Sequence, residues 1–227
     1  MTKIRAVLFD LDGTLLDTAS DLLTALNRLR EEHHLPAISL ATMKTIANLG
    51  SKAFIKLGFN VDADKNIDDF QQLRQRFISF YDQHLTDSTQ FFPQVDEVLT
   101  YLDKSNIPWG IVTNKLTRHT MQLLKALQFE HRPACVICGD TLTTYKPDPA
   151  PILHACQLLN ELPNACLYVG DALTDVTASK AAGTQSLVAM YGYINHEEED
   201  PHTWGADGYI KEPADIIHWL KKYPLNK

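Results

Sequence analysis

Ala6-Val7-Leu8-Phe9-Asp10-Leu11-Asp12-Gly13-Thr14-Leu15 decides how the rest of the chain is read. An apolar run of strand length stops at an aspartate, and turn formers follow it. In a parallel sheet covered on both faces, ligand sites gather beyond the carboxyl ends of the strands. Asp10 would stand at such an end, with Asp12 in the turn beyond it. Gly13 falls where the backbone must bend or approach a ligand closely. Two carboxylates this near repel unless a cation lies between them or one holds a proton. Magnesium takes oxygen ligands, often one or two carboxylates plus a substrate phosphate. With a phosphate so neutralised, one carboxylate can attack phosphorus. The other can protonate the leaving alcohol and then activate water. The plainer alternative is a strand followed by a solvated turn, since Asp and Gly are common there.

Downstream, residues 17–21 look like a helix start, with Thr18 as cap and Asp21 completing a capping box. Leu22, Leu23, Leu26 and Leu29 carry that helix to about His33. His33 and His34 are adjacent, so they cannot face each other on a helix and read as a solvated end. Leu35-Pro36 breaks the pattern. Met43, Ile46, Ala47 and Leu49 predict a second helix ended by Gly50-Ser51. A third, over 51–57, ends at Gly58. A polar loop over 62–66 leads to a long amphipathic helix over 67–85, with Phe70, Leu73, Phe77, Phe80 and Tyr81 on its apolar side. Residues 17–89 are thus expected to be an all-helical insert without strands.

After Pro93 the pattern alternates. Helices are predicted over 95–104, 118–128, 149–160, 173–182 and 213–222, the fourth stopped by Gly183. Strands are predicted over 107–112, 135–138, 166–169, 186–189 and 207–210. Alternation of this kind predicts an α/β fold with a parallel sheet, built from residues 1–16 and 90–227.

The chain has 227 residues and 44% apolar content, enough for one domain with an insert and a substantial core. Its net charge of −7 argues against nucleic acid or an anionic membrane as the main partner. No apolar run is long enough to span a bilayer. Lys3 and Arg5 precede an apolar stretch that runs straight into aspartates, which is a strand rather than a secretory signal. A cytoplasmic location is the default expectation. Cys135 and Cys138 have metal-knuckle spacing but no second pair, and they lie in an apolar run. They and the remaining cysteines, Cys156 and Cys166, are expected to be buried thiols rather than zinc ligands or disulfides. The tract 196–200 is expected to be a solvated acidic loop, with metal binding as its alternative.

Further strand ends and helix approaches carry polar groups. Thr113-Asn114-Lys115 follows one strand, Lys146-Pro147-Asp148-Pro149 leads into a helix, and Gly170-Asp171-Ala172-Leu173-Thr174-Asp175 follows another strand. Thr113 and Asn114 suit phosphate oxygens, as a hydroxyl and backbone N–H groups do at a helix start. Lys146, beside the stiff Pro147, suits charge developing on a transferring group. Asp171 can complete a magnesium site. Asp175, four residues on, shares its helical face and can ligate through water or fix Lys146. Each piece alone has a bland reading, but their order together is specific.

That order, Asp10-Leu11-Asp12-Gly13-Thr14-Leu15, then Thr113-Asn114, Lys146-Pro147 and Gly170-Asp171 with Asp175, resembles the motifs of the haloacid dehalogenase-like phosphohydrolases. The resemblance spans the chain. It implies a Rossmannoid, doubly wound core with an inserted α-helical cap over 17–89, closing over the core to exclude water. It implies Asp10 as nucleophile and metal ligand, and Asp12 as general acid/base that also meets Mg2+ through its carbonyl. Gly13, Thr113, Asn114 and Lys146 would bind the substrate's phosphate, and Asp171 would bind Mg2+. Asp12 sets the chain apart from the dehalogenase branch, which lacks an acid there. A hydrolase is favoured over a mutase.

Within that family the chain looks like the phosphoglycolate phosphatase group, and more closely like the N-acetylmuramic acid 6-phosphate phosphatases of cell-wall recycling. The carrying residues are 109–115, Arg118, Tyr191-Gly192-Tyr193-Ile194 and Trp204-Gly205-Ala206-Asp207. Leu116 stands where that pattern has proline. Specificity is expected in the cap loop 48–52, where Lys52 either meets an anionic or sugar group or is simply solvated. Arg118 is a second candidate with the same two readings. Tyr191 and Tyr193 either pack by the entrance or belong to the core. The expected partner is a small phosphorylated metabolite. A receiver domain that stores phosphate on aspartate is the competing class, but receivers are shorter, lack such an insert and lack the second Asp.

Overall fold

The computed structural model describes residues 3–61, 67–195 and 200–222. The predicted loop 62–66 and most of the acidic tract, 196–199, lie outside the described residues.

The opening apolar run is strand β1 (Ala6–Phe9), buried at every position. Val7 and Phe9 join one hydrophobic cluster while Ala6 and Leu8 join another, so both faces are covered and the run needs no polar alternation. β1 lies between β4 (Trp109–Val112) and β6 (Cys166–Gly170), parallel to both. Outside them run β5 (Cys135–Ile137) on one side, then β7 (Gln185–Ala189) and β8 (Gly208–Ile210) on the other, all parallel. The order β5-β4-β1-β6-β7-β8 reverses direction at β1, which is the doubly wound Rossmannoid arrangement. The reversal places the ends of β1 and β6 side by side.

The connecting helices α5 (Val95–Lys104), α6 (Thr117–Ala126), α7 (Ala150–Leu158), α8 (Leu173–Ala182) and α9 (Asp215–Lys222) match the predicted ones to within two residues. Gly183 closes α8 with φ +79°, a left-handed cap. All four cysteines are free and buried.

Between β1 and α5 the chain departs from expectation in several places. Strand appears at the edges of the insert, where Asp17 alone falls within 17–89. β2 (Leu16–Asp17) and β3 (Gln90–Phe91) pair antiparallel where the chain leaves and re-enters the core. Two-residue strands are too short to leave a period in the sequence. The predicted second helix is α2 (Leu40–Lys44), followed by a separate 3-10 turn at Ala47–Leu49. Gly50 separates that turn from α3 with φ 76° and ψ 178°, a conformation close to glycine-only. α3 (Gly50–Phe59) passes through Gly58, which packs against Leu26, and ends at left-handed Asn60. α1 (Ala19–Glu32) packs chiefly on α4 (Ile67–His84) and also on α2 and α3.

The capping box at Thr18 does not form. Thr18 Oγ1 instead donates to Asp12 Oδ1 at 2.6 Å, and the N–H groups of Thr18 and Ala19 donate to the Tyr193 hydroxyl. Asp21 turns away to the returning strand, accepting from the N–H groups of Ser88 and Thr89 and from Thr89 Oγ1 at 2.7 Å. Long-range partners outcompete the local cap because these residues lie where the insert joins the core. Among the described residues, no helix is long and apolar enough to cross a membrane.

Candidate active site

β1 delivers Asp10 to the sheet's carboxyl edge, where its N–H donates to Val169 O. The chain then turns tightly. The N–H groups of Leu15 and Leu16 both donate to Leu11 O, and Gly13 N–H donates to Leu16 O. Gly13 has φ +82°, and a Cβ there would stand 2.1 Å from Asp171 Oδ2. Only glycine lets the turn lie against the carboxylate at the end of β6. Asp171 is fully buried, accepting from Tyr193 N–H at 2.7 Å and from Thr14 Oγ1 at 3.3 Å.

Lys146 organises the other side. Its Nζ donates to Asp10 Oδ1 at 2.8 Å, Asp175 Oδ1 at 2.7 Å and the Tyr168 hydroxyl at 2.8 Å, so all three ammonium hydrogens are placed. Its backbone is clamped by Asn114, whose amide donates to Lys146 O and accepts from Lys146 N–H. The Asn114 side chain therefore positions Lys146. Asp175 also accepts from Ala172 N–H, capping α8 while holding the lysine. Of the two expected tasks for Asp175, the lysine contact is the one the geometry displays. Thr113 is buried at the end of β4, and its Oγ1 accepts from Lys115 N–H.

Burial pushes Asp10 up to about 6, against the pull of Lys146. Burial, reinforced by Asp10 and Asp175, raises Asp171 well above the carboxylate range. Burial would lower Lys146, but Asp10 and Asp175 outweigh it and hold it charged. Asp10, Asp171 and Asp175 each offer an oxygen within 4.8 Å of the others, and Lys146 is the ammonium that faces Asp10 and Asp175. Three buried acids against one cation leave the cluster short of positive charge. A hard divalent cation with oxygen ligands fits that deficit. Asp10 Oδ2 and the Asp171 carboxylate are the available donors, because Asp175 is committed to Lys146 and Ala172.

A second buried lysine attends Asp12. Lys115 Nζ donates to Asp12 Oδ1 at 3.0 Å, Asp12 Oδ2 at 3.2 Å and the hydroxyl of Tyr81 on α4 at 2.8 Å. Burial opposes its charge, but Asp12 and Tyr81 raise its pKa regardless. Burial pushes the Tyr81 phenol up to about 12, so it stays protonated at neutral pH.

These groups line one end of a cleft of about 390 Å³ whose far wall comes from the insert. Asn48, Ser51 and Lys52 line that wall, with Arg74, Phe77 and Tyr81 of α4. Of the two specificity candidates, Lys52 is on the wall and exposed. Arg118 is not among the lining residues; it is 53% exposed and pairs with Asp82 at 3.4 Å. Tyr193 belongs to the core, yet its hydroxyl also ties Asp17 and the start of α1. Tyr191 donates its hydroxyl to Thr14 O.

The sequence reading assigned no role to Lys115, Tyr168 or Arg74. Lys115 adjoins Thr113-Asn114, so its position was a signal. Arg74 had one as well: Phe70, Phe77, Ile78 and Tyr81 lie four before and three, four and seven after it, which places a cation on an apolar stripe. Tyr168 gave none, since a tyrosine inside a buried strand reads as core.

A model of the haloacid dehalogenase-like hydrolase family matches residues 7–189. An N-acetylmuramic acid 6-phosphate phosphatase of Pseudomonas aeruginosa is 34% identical over 220 residues, 97% of this chain and 96% of the relative. A phosphoglycolate phosphatase of Xanthomonas campestris pv. campestris is 38% identical over 213 residues, 93% of this chain and 94% of the relative. A crystal structure described as a predicted phosphoglycolate phosphatase from Haemophilus somnus superposes with a TM-score of 0.85 at 27% identity, covering 96% of this chain and 99% of that one.

Proposed function

The chain belongs to the haloacid dehalogenase-like hydrolases and is a phosphatase of that family, and from this premise we propose a magnesium-dependent phosphomonoesterase that works through an aspartyl-phosphate. The observation that carries the reading is the placement of Asp10 against Lys146 at the floor of the cleft, with Asp12 on a neighbouring lysine. Asp10 and Asp171 would hold Mg2+, which when bound supplies positive charge to the phosphate oxygens and to the attacking carboxylate.

The chain's own groups do the rest. Asp10 attacks phosphorus; the new bond joins an Asp10 oxygen to phosphorus, and the bond from phosphorus to the ester oxygen breaks. Asp12 gives its proton to the departing alkoxide. Asp12, now a carboxylate, takes a proton from water, and the resulting hydroxide attacks the phosphoaspartate. Inorganic phosphate leaves and Asp10 is regenerated. Lys146 keeps Asp10 ionised despite its burial, and Thr113 with the backbone of Asn114 contacts the phosphate. Residues 17–89 act as the cap and residues 1–16 and 90–227 as the core, with Tyr81 and Lys115 meeting between them.

N-acetylmuramic acid 6-phosphate is the substrate this reading favours. A cleft of about 390 Å³ falls in the range that encloses sizeable ligands, ~300–1,000 Å³, and exceeds what a two-carbon acid needs. Phosphoglycolate is the second reading, favoured by the 38% identical relative of that name. A cytoplasmic enzyme acting on a small metabolite, with no role for nucleic acid or membrane, suits both. Comparing phosphate release from the two compounds in the presence of magnesium decides between them. In the same assay Asp10→Asn should lose at least about 10³-fold in turnover, because an amide is a poor nucleophile. Near-native turnover by that variant would end the covalent mechanism.

A further inference from the structure

Among the described residues, Ser51 is the hydrogen-bond partner of Arg74 and no acid pairs with it. Arg74 lies on α4 within a stripe of Phe70, Phe77, Ile78 and Tyr81, and it is half-buried. Its Nε donates to Ser51 Oγ at 2.9 Å, which fixes the plane of the guanidinium. Among the described residues its two terminal nitrogens meet no carboxylate or carbonyl. Arg5 pairs with Glu161, Arg76 with Glu32, Arg118 with Asp82, and Arg132 with Asp96 and Asp103. Arg30 donates to the carbonyls of Pro36 and Gly58, and Arg28 is exposed outside the cleft. Acids are in surplus in a chain of net charge −7, and Arg74 is the half-buried arginine that faces this cleft without one. Arg74 lines the cleft, and so does Lys52, one residue beyond Ser51 and likewise without a carboxylate.

The cleft therefore has ends of different kinds. At the core end, Lys146 is saturated by Asp10, Asp175 and Tyr168. At the insert end, a guanidinium fork is braced on one edge and open on the other. The open edge, two terminal N–H groups side by side, matches a carboxylate bidentately, which a lysine cannot do. Leu22, Phe54, Phe77 and Ile78 line the space between, a surface suited to a carbon skeleton.

We propose that Arg74, braced by Ser51 and flanked by Lys52, is a carboxylate-binding residue at the insert end of the cleft, selecting sugar-sized phosphomonoesters that carry a second acidic group. This rests on the phosphatase reading for its substrate but not for its geometry. Arg74 touches no reacting atom; it sets which ester is held for reaction.

The test compares N-acetylmuramic acid 6-phosphate with N-acetylglucosamine 6-phosphate, the same amino-sugar phosphate without the lactyl carboxylate. Phosphate release with magnesium is followed for the wild type, Arg74→Met and Arg74→Lys, with p-nitrophenyl phosphate as a reference lacking the acid. Charge-assisted hydrogen bonds of this kind correspond to about 10- to 100-fold in kcat/KM. The wild type should prefer the acid by about that factor. Arg74→Met should erase the preference by raising KM for the acid alone, leave the other two substrates within about twofold, and leave the melting temperature unchanged. Arg74→Lys should restore part of the preference. Calorimetric binding of N-acetylmuramic acid against N-acetylglucosamine reads the same subsite without turnover. Selective binding of the acid that Arg74→Met abolishes upholds the subsite even if none of the esters is hydrolysed, in which case the phosphatase reading alone falls. No preference in either assay, or an equal loss on all three esters in Arg74→Met, overturns the proposal.

Discussion

Lys146 and Lys115 are both buried, and each donates three hydrogen bonds from Nζ, but they bind different parts of the molecule together. Every partner of Lys146 comes from the core: Asp10 after β1, Asp175 on α8 and Tyr168 on β6. Lys115 reaches Asp12 on the core and Tyr81 on α4 of the insert. On the proposed mechanism, the nucleophile's side is then held within the core alone, and the acid/base side also depends on the insert.

The largest effect should follow from removing the core lysine. Lys146→Met leaves Asp10 and Asp175 buried without their cation, and breaking a buried pair costs about 3–5 kcal/mol. Phosphate release should fall by about 10³-fold or more, since a lost stabiliser of transition-state charge commonly costs ~10²–10³ and Asp10 would also tend to protonate. Turnover with magnesium and thermal melting should fall together. A variant that melts like the wild type would show that Lys146 is not what balances the acids, and the contrast would lose its first half.

A smaller loss should come from the bridging lysine. Lys115→Met should reduce kcat by about 10²-fold by freeing Asp12, whose remaining partner is Thr18 Oγ1. Tyr81→Phe removes just the insert's contribution to that bridge and should cost about tenfold or less, near the worth of one hydrogen bond. The double variant should resemble Lys115→Met alone, because both changes act through one contact. Full additivity of the two in kcat would mean that Tyr81 acts by another route and that the insert does not seat the acid/base side.

The two sides also differ in how readable they were. In the core, strands buried on both faces give unbroken apolar runs, and each run stops where a polar side chain must emerge. Asp10, Thr113 and Asp171 stood out for that reason, and α5 and α8 were located to the residue. The insert offers no such contrast. Its joining strands β2 and β3 have two residues each, and the division of the 3-10 turn from α3 rests on the backbone at Gly50 rather than on apolar spacing. Thr18 and Asp21 matched a capping box in spacing and residue type, but Asp12 and the Ser88–Thr89 backbone, distant in sequence, claimed them instead. Tertiary partners of that kind leave no local trace. Arg74 is the exception, since the spacing of Phe70, Phe77, Ile78 and Tyr81 around it places it on an apolar stripe.

The smallest effect concerns the contact between α6 and α4 beside the bridging lysine. His119 Nε2 lies 2.7 Å from Asp82 Oδ1, and its ring packs edge-on to Tyr81 at 5.3 Å. Burial is the main force on this imidazole, with Lys115 and Arg118 adding to it and Asp82 opposing; the result is a pKa below the usual 6.5. The unfolded chain therefore binds more protons at this position than the folded chain over the window from 6.5 down to the folded value. Stability should rise with pH across that window and decline as the pH falls through it. His119→Gln cannot titrate, so it should flatten that part of the pH dependence of the melting temperature by less than about 2 °C. Since the imidazole sits where insert meets core, the same variant should move KM more than kcat. A flattened slope with kcat and KM both unchanged would place His119 in the packing of α4 on α6 and outside the seating of the insert, leaving that task to the Lys115–Tyr81 contact and to Thr18 Oγ1 on Asp12.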